Sequence, residues 1–495
     1  MKLAPLQAVA AAALAAAVAL CAAGAAPLER PPAAAAPPGG ALAALPSQGG
    51  TQLPGTSGPT PGGAGSPSPS PSGAGSHSPT PAAAPLTAAA SPSPSPTAAR
   101  STAAATPSAP ASHSAAPSPS ATPSGTAPVI PTGVPSALHV SGNQLVDANG
   151  VPVTLHGADM SGTETVCAQN WTNDPFGGQP EDDAQTFAAM RSWGINAVRI
   201  PLNEDCWLGI NGVQIGGAAY QQPVEKLVRD LEAAGFYVIV DLHWTAPGTQ
   251  RAVAQNPAPD EDHSPAFWQG VAGAFKDDPA VIFDLFNEPY FYWMTSGENQ
   301  WTCLWQGCTV TQLVVNNQAS NTSGHPCDPS NNCYTADANW QTAGFDQLIS
   351  IIRGAGAANV IMAGGADWAR DLSGWLATRP SDPNLVASWH SYPSANPSLQ
   401  SECAAEWCWN QVIAPLAAKV PVVVGETGDS ATGPETYLTG STGFLPWAKS
   451  HGLSVLAWTW NAWQDPSDVL VTSMTAGTPT PGEGVAFQAY LRGFG

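Results

Sequence analysis

The stretch Val281-Ile-Phe-Asp-Leu-Phe-Asn-Glu-Pro, residues 281–289, decides the fold prediction. Its apolar, strand-like run ends in a carboxylic acid, Glu288, beside the amide of Asn287. The stretch Pro421-Val-Val-Val-Gly-Glu has the same form, because a β-branched run there ends at Glu426. Continuous apolar runs of this length are typical of buried parallel strands. We therefore expect both glutamates to lie at strand ends that face a cleft.

Six further apolar runs of this kind occur along the chain: Thr154-Leu-His-Gly, Ala197-Val-Arg-Ile, Tyr237-Val-Ile-Val-Asp, Val360-Ile-Met-Ala, Leu385-Val-Ala-Ser-Trp and Val455-Leu-Ala-Trp. Helix-like segments lie between most of them, for example 182–193 and 222–234, and a glycine suited to a helix C-terminal cap follows each of these two. Eight strand–helix alternations predict an α/β fold, the (β/α)8 or TIM barrel. Before the first run, residues 137–153 predict a small N-terminal β-hairpin with an Asn-Gly turn.

The connection after strand four is longer than the others. Val281 and Val360 are 79 residues apart, whereas most successive runs begin about 40 residues apart. This predicts an insertion on the catalytic face that is held by disulfides and could form one wall of a cleft. The alternative is an ordinary surface loop.

The cysteine count predicts an oxidising compartment, because nine cysteines minus Cys21 leave an even number, eight. Proximity along the chain suggests one of many possible sets of disulfides: Cys167–Cys206, Cys303–Cys308, Cys327–Cys333 and Cys403–Cys408. The alternative for part of this set is a zinc site, although its spacings match no zinc-finger pattern well. Its ligands would be Cys303, Cys308, His325, Cys327 and Cys333.

The N-terminal part of the chain predicts export. Residues 1–26 have one positive charge, an apolar run and then small residues, as a signal peptide does. An uncleaved anchor, or lipidation at Cys21, is the alternative, although Leu20 is an unusual residue to precede a lipidated cysteine. Residues 27–128 are rich in Pro, Ala, Ser and Thr and cannot bury a core, so we interpret them as a disordered linker. The catalytic domain is then 129–495, extracellular and either free or tethered to the cell surface.

Composition narrows the classes of partner. The formal net charge of −21 disfavours nucleic acid and anionic lipid. Neutral polysaccharides remain, and the 18 tryptophans suit them, because pyranose rings lay their C–H faces on indoles. The sequence has no Gly-x-Ser-x-Gly turn, phosphate-binding glycine loop, His-Glu-x-x-His helix or calcium loop. We expect a monomer that needs no metal, no other cofactor and no obligatory protein partner.

Catalytic groups of such barrels sit at the C-terminal ends of the strands. Applied to this chain, the rule selects polar or aromatic residues at the ends of the apolar runs: Arg199, His243, Asn287, Glu288, His390, Tyr392, Glu426, Trp458 and Trp460. Two glutamates are the minimum needed to cleave a glycosidic bond. Simpler structural roles stay open. Arg199 could form an ion pair that fills the interior of the barrel, and His243 and His390 could be buried core residues.

Residues 138–463 resemble glycoside hydrolase family 5, the cellulase-like members of a large clan of retaining (β/α)8 glycosidases. The matching motifs occur in the expected order: Asn196-Ala-Val-Arg-Ile-Pro, Asp241-Leu-His, Phe286-Asn-Glu-Pro, His390-Ser-Tyr, Gly425-Glu and the Trp-rich eighth strand. The resemblance implies that Glu288 is the general acid/base and Glu426 the nucleophile, about 5 to 5.5 Å apart.

The resemblance also implies roles for the surrounding side chains. Arg199 and Tyr392 would keep Glu426 ionised. Asn287 would bind the sugar 2-hydroxyl. The two histidines would bind sugar hydroxyls or support the glutamates, and one of Trp458 and Trp460 would floor the subsite of the reacting sugar.

The function expected is that of a secreted endo-β-1,4-glucanase acting on β-glucan. Mannan, xyloglucan and β-1,3- or β-1,6-glucan are alternative substrates, because the motifs are shared across the family. The alternative from another functional class is a carbohydrate-binding barrel that has no catalytic activity. The presence of both glutamates disfavours that alternative.

Overall fold

The computed structural model describes residues 133–494, apart from 171, 292–298, 311–313, 316–334, 337–338, 395–396, 430–436, 441 and 464–468. The predicted signal peptide and linker lie outside the described residues, as does the predicted Cys327–Cys333 pair.

Eight strands form a closed barrel: β1 His156–Asp159, β2 Ala197–Asn203, β3 Tyr237–Trp244, β4 Val281–Asp284, β5 Ile361–Gly364, β6 Leu385–Ser391, β7 Val422–Thr427 and β8 Ser454–Ala457. Neighbouring strands pair in parallel, and β8 pairs with β1 to close the ring. All eight coincide with the apolar runs of the sequence, because a parallel strand buried on both faces excludes water along its whole length. The predicted (β/α)8 barrel is confirmed.

Helices connect the strands on the outside of this barrel. Their bounds are Val166–Gln169, Ala184–Trp193, Glu204–Leu208, Ala218–Ala233, Ser264–Phe275, Gln300–Gln306, Phe345–Gly354, Trp375–Thr378, Glu406–Cys408, Ala414–Ala417, Phe444–Ser450 and Glu483–Leu491, with a π-helix at Trp409–Ile413 and a 3-10 turn at Arg492–Phe494. Asp183 caps the second of these helices by accepting from Gln185 N, and Gly194 ends it with φ of 90°. Across the described residues, none of these helices combines the length and apolarity that a bilayer span requires.

A small antiparallel sheet covers the N-terminal end of the barrel. It has three strands, Leu138–Ser141, Gln144–Asp147 and Pro152–Val153. The last two form the predicted hairpin with its Asn149-Gly150 turn, and the first strand adds to it. Leu138 and Leu145 pack with an apolar layer of strand residues that includes Ile239, Met362 and Leu456. This layer closes one end of the barrel and leaves the C-terminal end for chemistry.

The predicted insertion after β4 is present. It contains the helix Gln300–Gln306 and two short strand pairs, Thr309–Val310 with Trp340–Gln341 and Val314–Val315 with Thr335–Ala336. Trp301 and Trp305 are buried, and Trp305 packs edge-on against Phe345 and Trp375. These two indoles anchor the insertion to the barrel helices instead of lining a cleft.

Candidate active site

A buried arginine lies under the open end of the barrel. Arg199, on β2, is fully buried and faces four carboxyl groups. Its Nη1 lies 2.7 Å from Glu426 Oε1 and 3.2 Å from Asp159 Oδ1; its Nη2 lies 3.0 Å from Asp241 Oδ2, and its Nε lies 3.1 Å from Asp284 Oδ2. Four carboxyl groups around one guanidinium cannot all be ionised at low cost.

Burial decides which of these carboxyl groups keep their protons. It raises the pKa of Asp159 well above its usual range and that of Asp284 to about 8. Burial alone would lower the pKa of Arg199, but the surrounding carboxylates raise it well above its ordinary value. The guanidinium therefore stays charged among these carboxyl groups.

Glu426 lies on β7 with a side chain only 7% exposed. Each of its oxygens has a donor: Arg199 Nη1 donates to Oε1 at 2.7 Å, and the Tyr392 hydroxyl donates to Oε2 at 3.0 Å. Donors to both oxygens favour the ionised form of a carboxyl group. The geometry therefore suits a carboxylate nucleophile.

Glu288, which follows β4, has a different environment. Its side chain is 14% exposed, and Oε1 lies 3.0 Å from His390 Nδ1. Burial raises the pKa of Glu288 to about 7, although the positive charge of Arg370 opposes this. A carboxyl group with a pKa near neutrality can both give and take a proton.

The two glutamates are close enough to act together. One oxygen of Glu288, one oxygen of Glu426 and one nitrogen of His390 all lie within 4.8 Å of one another. Retaining glycosidases hold their carboxyl groups about 5 to 5.5 Å apart, whereas inverting enzymes leave about 6.5 to 9.5 Å for a water molecule. An oxygen–oxygen distance of at most 4.8 Å suits the retaining arrangement. The same three donors are spaced closely enough to hold a metal ion as well.

The pKa values of the two predicted histidines are shifted in opposite directions. Burial lowers the pKa of His390 to about 4, so this imidazole is neutral beside Glu288. Burial also disfavours the charged form of His243, but its Nδ1 lies 2.6 Å from Asp241 Oδ2, and that contact raises the pKa of His243 overall. The His243 ring stacks on Trp458 with centroids 5.5 Å apart. His243 thus contacts both Asp241, beside Arg199, and the indole of Trp458.

The two tryptophans after β8 lie in different places. Trp458 is 7% exposed and packs in a small cluster with Tyr392 and Trp463. Trp460 is fully buried; its indole donates to Met474 O at 3.2 Å and packs edge-on against Trp193. The prediction that one of these two indoles floors the sugar subsite therefore narrows to Trp458, which adjoins the site, because Trp460 belongs to the core.

Gln255, in the loop after β3, joins the site without having been predicted. Its Oε1 accepts from Asn287 Nδ2 at 3.1 Å, and its Nε2 donates to the backbone oxygen of Glu288 at 3.1 Å. Arg199 Nη2 donates to Asn287 Oδ1 at 2.9 Å. The Asn287 amide is therefore fixed at both ends. A glutamine inside a loop carries no sequence signal for such a role.

A strained turn after β5 brings a second aromatic surface to the site. Residues 367–369 have φ values of 57°, 64° and 56°, a left-handed conformation that costs non-glycine residues energy and is found mainly at functional sites. Trp368 N donates to Pro289 O at 2.8 Å, and His390 N donates to Ala369 O at 3.1 Å. The turn stacks Trp368 on Tyr290 with centroids 4.2 Å apart, beside the segment that carries the acid/base candidate.

Three predicted disulfides are bonded in the structure: Cys167–Cys206, Cys303–Cys308 and Cys403–Cys408. The first joins the loops that follow β1 and β2, on the same end of the barrel as the two glutamates. Because Cys303 and Cys308 are bonded to each other, they are not available as thiolate ligands, which corrects the alternative zinc assignment.

Parts of the chain are similar to known proteins. The family described as Cellulase (glycosyl hydrolase family 5) matches residues 146–464. An endoglucanase from Microbulbifer sp. (strain ALW1) is 29% identical over 152 residues, which is 31% of this chain and 26% of that protein. Endoglucanase A of Butyrivibrio fibrisolvens is 29% identical over 172 residues, 33% of each chain. The chain thus spans about a quarter to a third of the length of these relatives.

Among solved structures, a β-glucanase from Saccharophagus degradans in complex with cellotetraose is similar to this chain. It has 18% sequence identity and a TM-score of 0.49, and the match covers 73% of this chain and 94% of that one.

Proposed function

The chain belongs to glycosyl hydrolase family 5, and from that membership we propose that it is a retaining endo-β-1,4-glucanase that cleaves cellulose or soluble β-glucan. The observation that carries the proposal is the pair of glutamates, whose oxygens lie within 4.8 Å while their environments differ. Two carboxyl groups with opposed protonation states are the requirement of a double displacement.

In the first half-reaction Glu426 attacks the anomeric carbon of the substrate. Its carboxylate oxygen forms a bond to that carbon as the bond to the leaving sugar oxygen breaks, and Glu288 gives its proton to the leaving oxygen. Arg199 and Tyr392 hold the nucleophile ionised and oriented, at 2.7 and 3.0 Å. Asn287 is placed to bind the 2-hydroxyl of the reacting sugar, a contact that strengthens in the transition state.

In the second half-reaction Glu288 acts as a base. Its carboxylate takes a proton from water, the water oxygen bonds to the anomeric carbon, and the bond to Glu426 breaks. The enzyme returns to its starting protonation state, and the product keeps the configuration of the substrate. A pKa of about 7 for Glu288 suits a group that must give and then recover a proton near neutral pH.

The preference for β-1,4-glucan rests on two supports. The relatives above have endoglucanase names, and aromatic faces flank the catalytic pair: Trp458 on one side and the Trp368–Tyr290 stack beside the acid/base segment. Mannan, xyloglucan and β-1,3- or β-1,6-glucan are the alternative substrates. A relative from Bacteroides ovatus, 25% identical over 154 residues, has the name of a xyloglucan-specific enzyme.

Secretion is part of the proposal. It is supported by the signal-like residues 1–26 and by the three disulfides of the described residues, which form and persist outside reducing compartments.

The test replaces each glutamate by its isosteric amide and measures new reducing ends on carboxymethylcellulose, mannan and xyloglucan. We expect Glu288→Gln and Glu426→Gln to lose about 10²–10⁴-fold or more in turnover on the glucan. The matched control is Glu232→Gln, a buried carboxyl on the helix Ala218–Ala233, which should keep wild-type turnover. Near-wild-type turnover of either catalytic variant would refute the residue roles, and a parent enzyme active on mannan alone would refute the substrate.

A further inference from the structure

The segment that follows β6 carries an indole that the core does not use. Among the tryptophans that the structure describes, only Trp407 is exposed, at 36%, whereas the others are buried or half-buried. It lies on the short helix Glu406–Cys408, and the mechanism above does not involve it. A single exposed apolar side chain is common on a protein surface, so its support and its position decide whether it can bind anything.

Covalent and hydrogen bonds hold the Trp407 indole in one orientation. Its Nε1 donates to Pro397 O at 2.8 Å. The disulfide between Cys403 and Cys408 closes a short ring of backbone that contains it. Two residues further on, the buried Trp409 donates from its Nε1 to Cys403 O at 2.9 Å. An indole that is already fixed loses little conformational entropy when a ligand covers it.

Trp407 lies at the catalytic end of the barrel. β6 ends at Ser391, and the helical segments from Glu406 to Ala417 lead back to the start of β7 at Val422. In a (β/α)8 barrel the chain leaves each strand at the catalytic end and returns through the helix that follows. The first turn of these helical segments, which includes Trp407, therefore lies on the face that holds the two glutamates.

An ion pair joins this segment to the turn after β5. Arg370 Nη1 pairs with Glu402 Oε2, and both side chains are mostly buried. The Arg370 guanidinium lies 6.0 Å from the ring centroid of Tyr392. Of the charges that affect the pKa of Glu288, that of Arg370 has the largest effect. The segment after β6 is thus fastened beside the acid/base candidate.

The order of the strands assigns this side of the site to the leaving group. β5 and β6 lie between β4, which precedes Glu288, and β7, which carries Glu426. The opposite arc of the ring, from β8 to β3, carries the stacked pair of Trp458 and His243. Under the function proposed above, the sugar that is attacked rests on Trp458. The part of the substrate beyond the broken bond then crosses the segments after β5 and β6.

We propose that Trp407 is a binding platform for a glucose unit in the leaving-group part of a β-glucan chain. The proposal rests on the function proposed above, since such a platform has a use only where a glucan chain crosses the site. The C–H face of a pyranose ring covers the face of an indole and removes apolar area of both from water. Because this contact is remote from the reacting bond, it strengthens the binding of long chains and leaves the chemical step unchanged.

The first measurement is binding without hydrolysis. The full chain with Glu288→Gln, which we expect to be inactive, is run in native gels that contain hydroxyethylcellulose, and its retardation gives a dissociation constant. Adding Trp407→Ala should weaken binding about 5- to 10-fold, the loss expected when one sugar face no longer covers an indole. The matched control is Leu399→Ala in the same background. Leu399 is 48% exposed in the same segment but has no planar face, so this change should leave the retardation unaltered.

The second measurement is kcat/KM of variants that keep both glutamates. Trp407→Ala should lose about 5- to 10-fold on hydroxyethylcellulose, mainly through KM, and stay within about twofold on 4-nitrophenyl β-cellobioside. The leaving group of that cellobioside contains no sugar and cannot reach a platform. Trp407→Phe keeps an aromatic face and should recover most of the loss on the polymer.

Equal retardation and equal kcat/KM on the polymer for the parent and Trp407→Ala would overturn the proposal. So would a loss of the same size on the aryl cellobioside, which would mark a structural effect, or an equal loss in Leu399→Ala. If Trp407→Ala fails to fold, Trp407→Met, which keeps the bulk without a ring, takes its place. A parent that hydrolyses no glucan but is retarded through Trp407 would refute the proposed function alone. A parent that hydrolyses the polymer equally well without Trp407 would refute the platform alone.

Discussion

Replacing Gln255 by leucine tests how the site holds Asn287. The residue is 5% exposed and leucine is similar in size, so the change removes the hydrogen bonds to Asn287 and to the backbone oxygens of Glu288 and Asn256 but little volume. Each buried polar group left without a partner costs about 1–3 kcal/mol, so Asn287 Nδ2 and the Glu288 carbonyl together cost about 2–6 kcal/mol of folding stability. Freed from Gln255, the amide still accepts from Arg199, but its NH2 end is no longer held.

The expected catalytic loss follows from the contact with the sugar 2-hydroxyl that the proposed mechanism assigns to this NH2 end. Loss of an oriented hydrogen bond to the 2-hydroxyl, at about 1.4–2.8 kcal/mol in the transition state, lowers kcat/KM by about 10- to 100-fold. The assay compares an aryl β-cellobioside with an analogue that lacks the 2-hydroxyl on the sugar being cleaved. We expect Gln255→Leu to show that loss on the parent substrate and less than about threefold loss on the deoxy analogue.

The matched control is Gln255→Glu, which keeps an oxygen to accept from Asn287 but cannot donate to the Glu288 carbonyl when ionised. It should retain more of the discrimination between the two substrates than Gln255→Leu does. Equal losses on both substrates would refute the reasoning, because they would show that Gln255 acts on the fold of the site and not through the asparagine.

Three further predictions concern other parts of the structure. Arg370→Gln removes the positive charge that lowers the pKa of Glu288, so this pKa should rise above about 7. Because the protonated acid is needed for the leaving group, the alkaline limb of the plot of kcat/KM against pH should move to higher pH. Gly425→Ala places a Cβ 3.1 Å from His390 Nε2 and should lower kcat/KM at least about tenfold with a moderate fall in Tm. Trp460→Phe should cost about 1–3 kcal/mol of stability by denaturant unfolding while leaving kcat within about twofold.

The barrel and the position of the two glutamates could be predicted from the sequence for one physical reason. A parallel strand buried on both faces must be apolar throughout, so a carboxylic acid at its end is conspicuous. Glu426 on β7 and Glu288 just after β4 follow this pattern. The two residues could be assigned to one cleft because the strand ends of a barrel converge at one end.

What could not be predicted depends on tertiary packing. The Trp-x-Trp spacing does not show how deeply each indole is buried. Trp460 lies in the core, where its indole donates a hydrogen bond to Met474 O. Gln255 and the left-handed turn at 367–369 lie in loops, where periodicity carries no information.

The most direct test of the account is to trap the covalent intermediate. A 2-deoxy-2-fluoro-β-cellobioside with a good leaving group slows both half-reactions and lets the glycosyl-enzyme accumulate, and mass spectrometry of the digested protein then locates the label. The account predicts one cellobiosyl label, on Glu426, and a first-formed product of β configuration by NMR. A label on another residue, or a first product of α configuration, would contradict it.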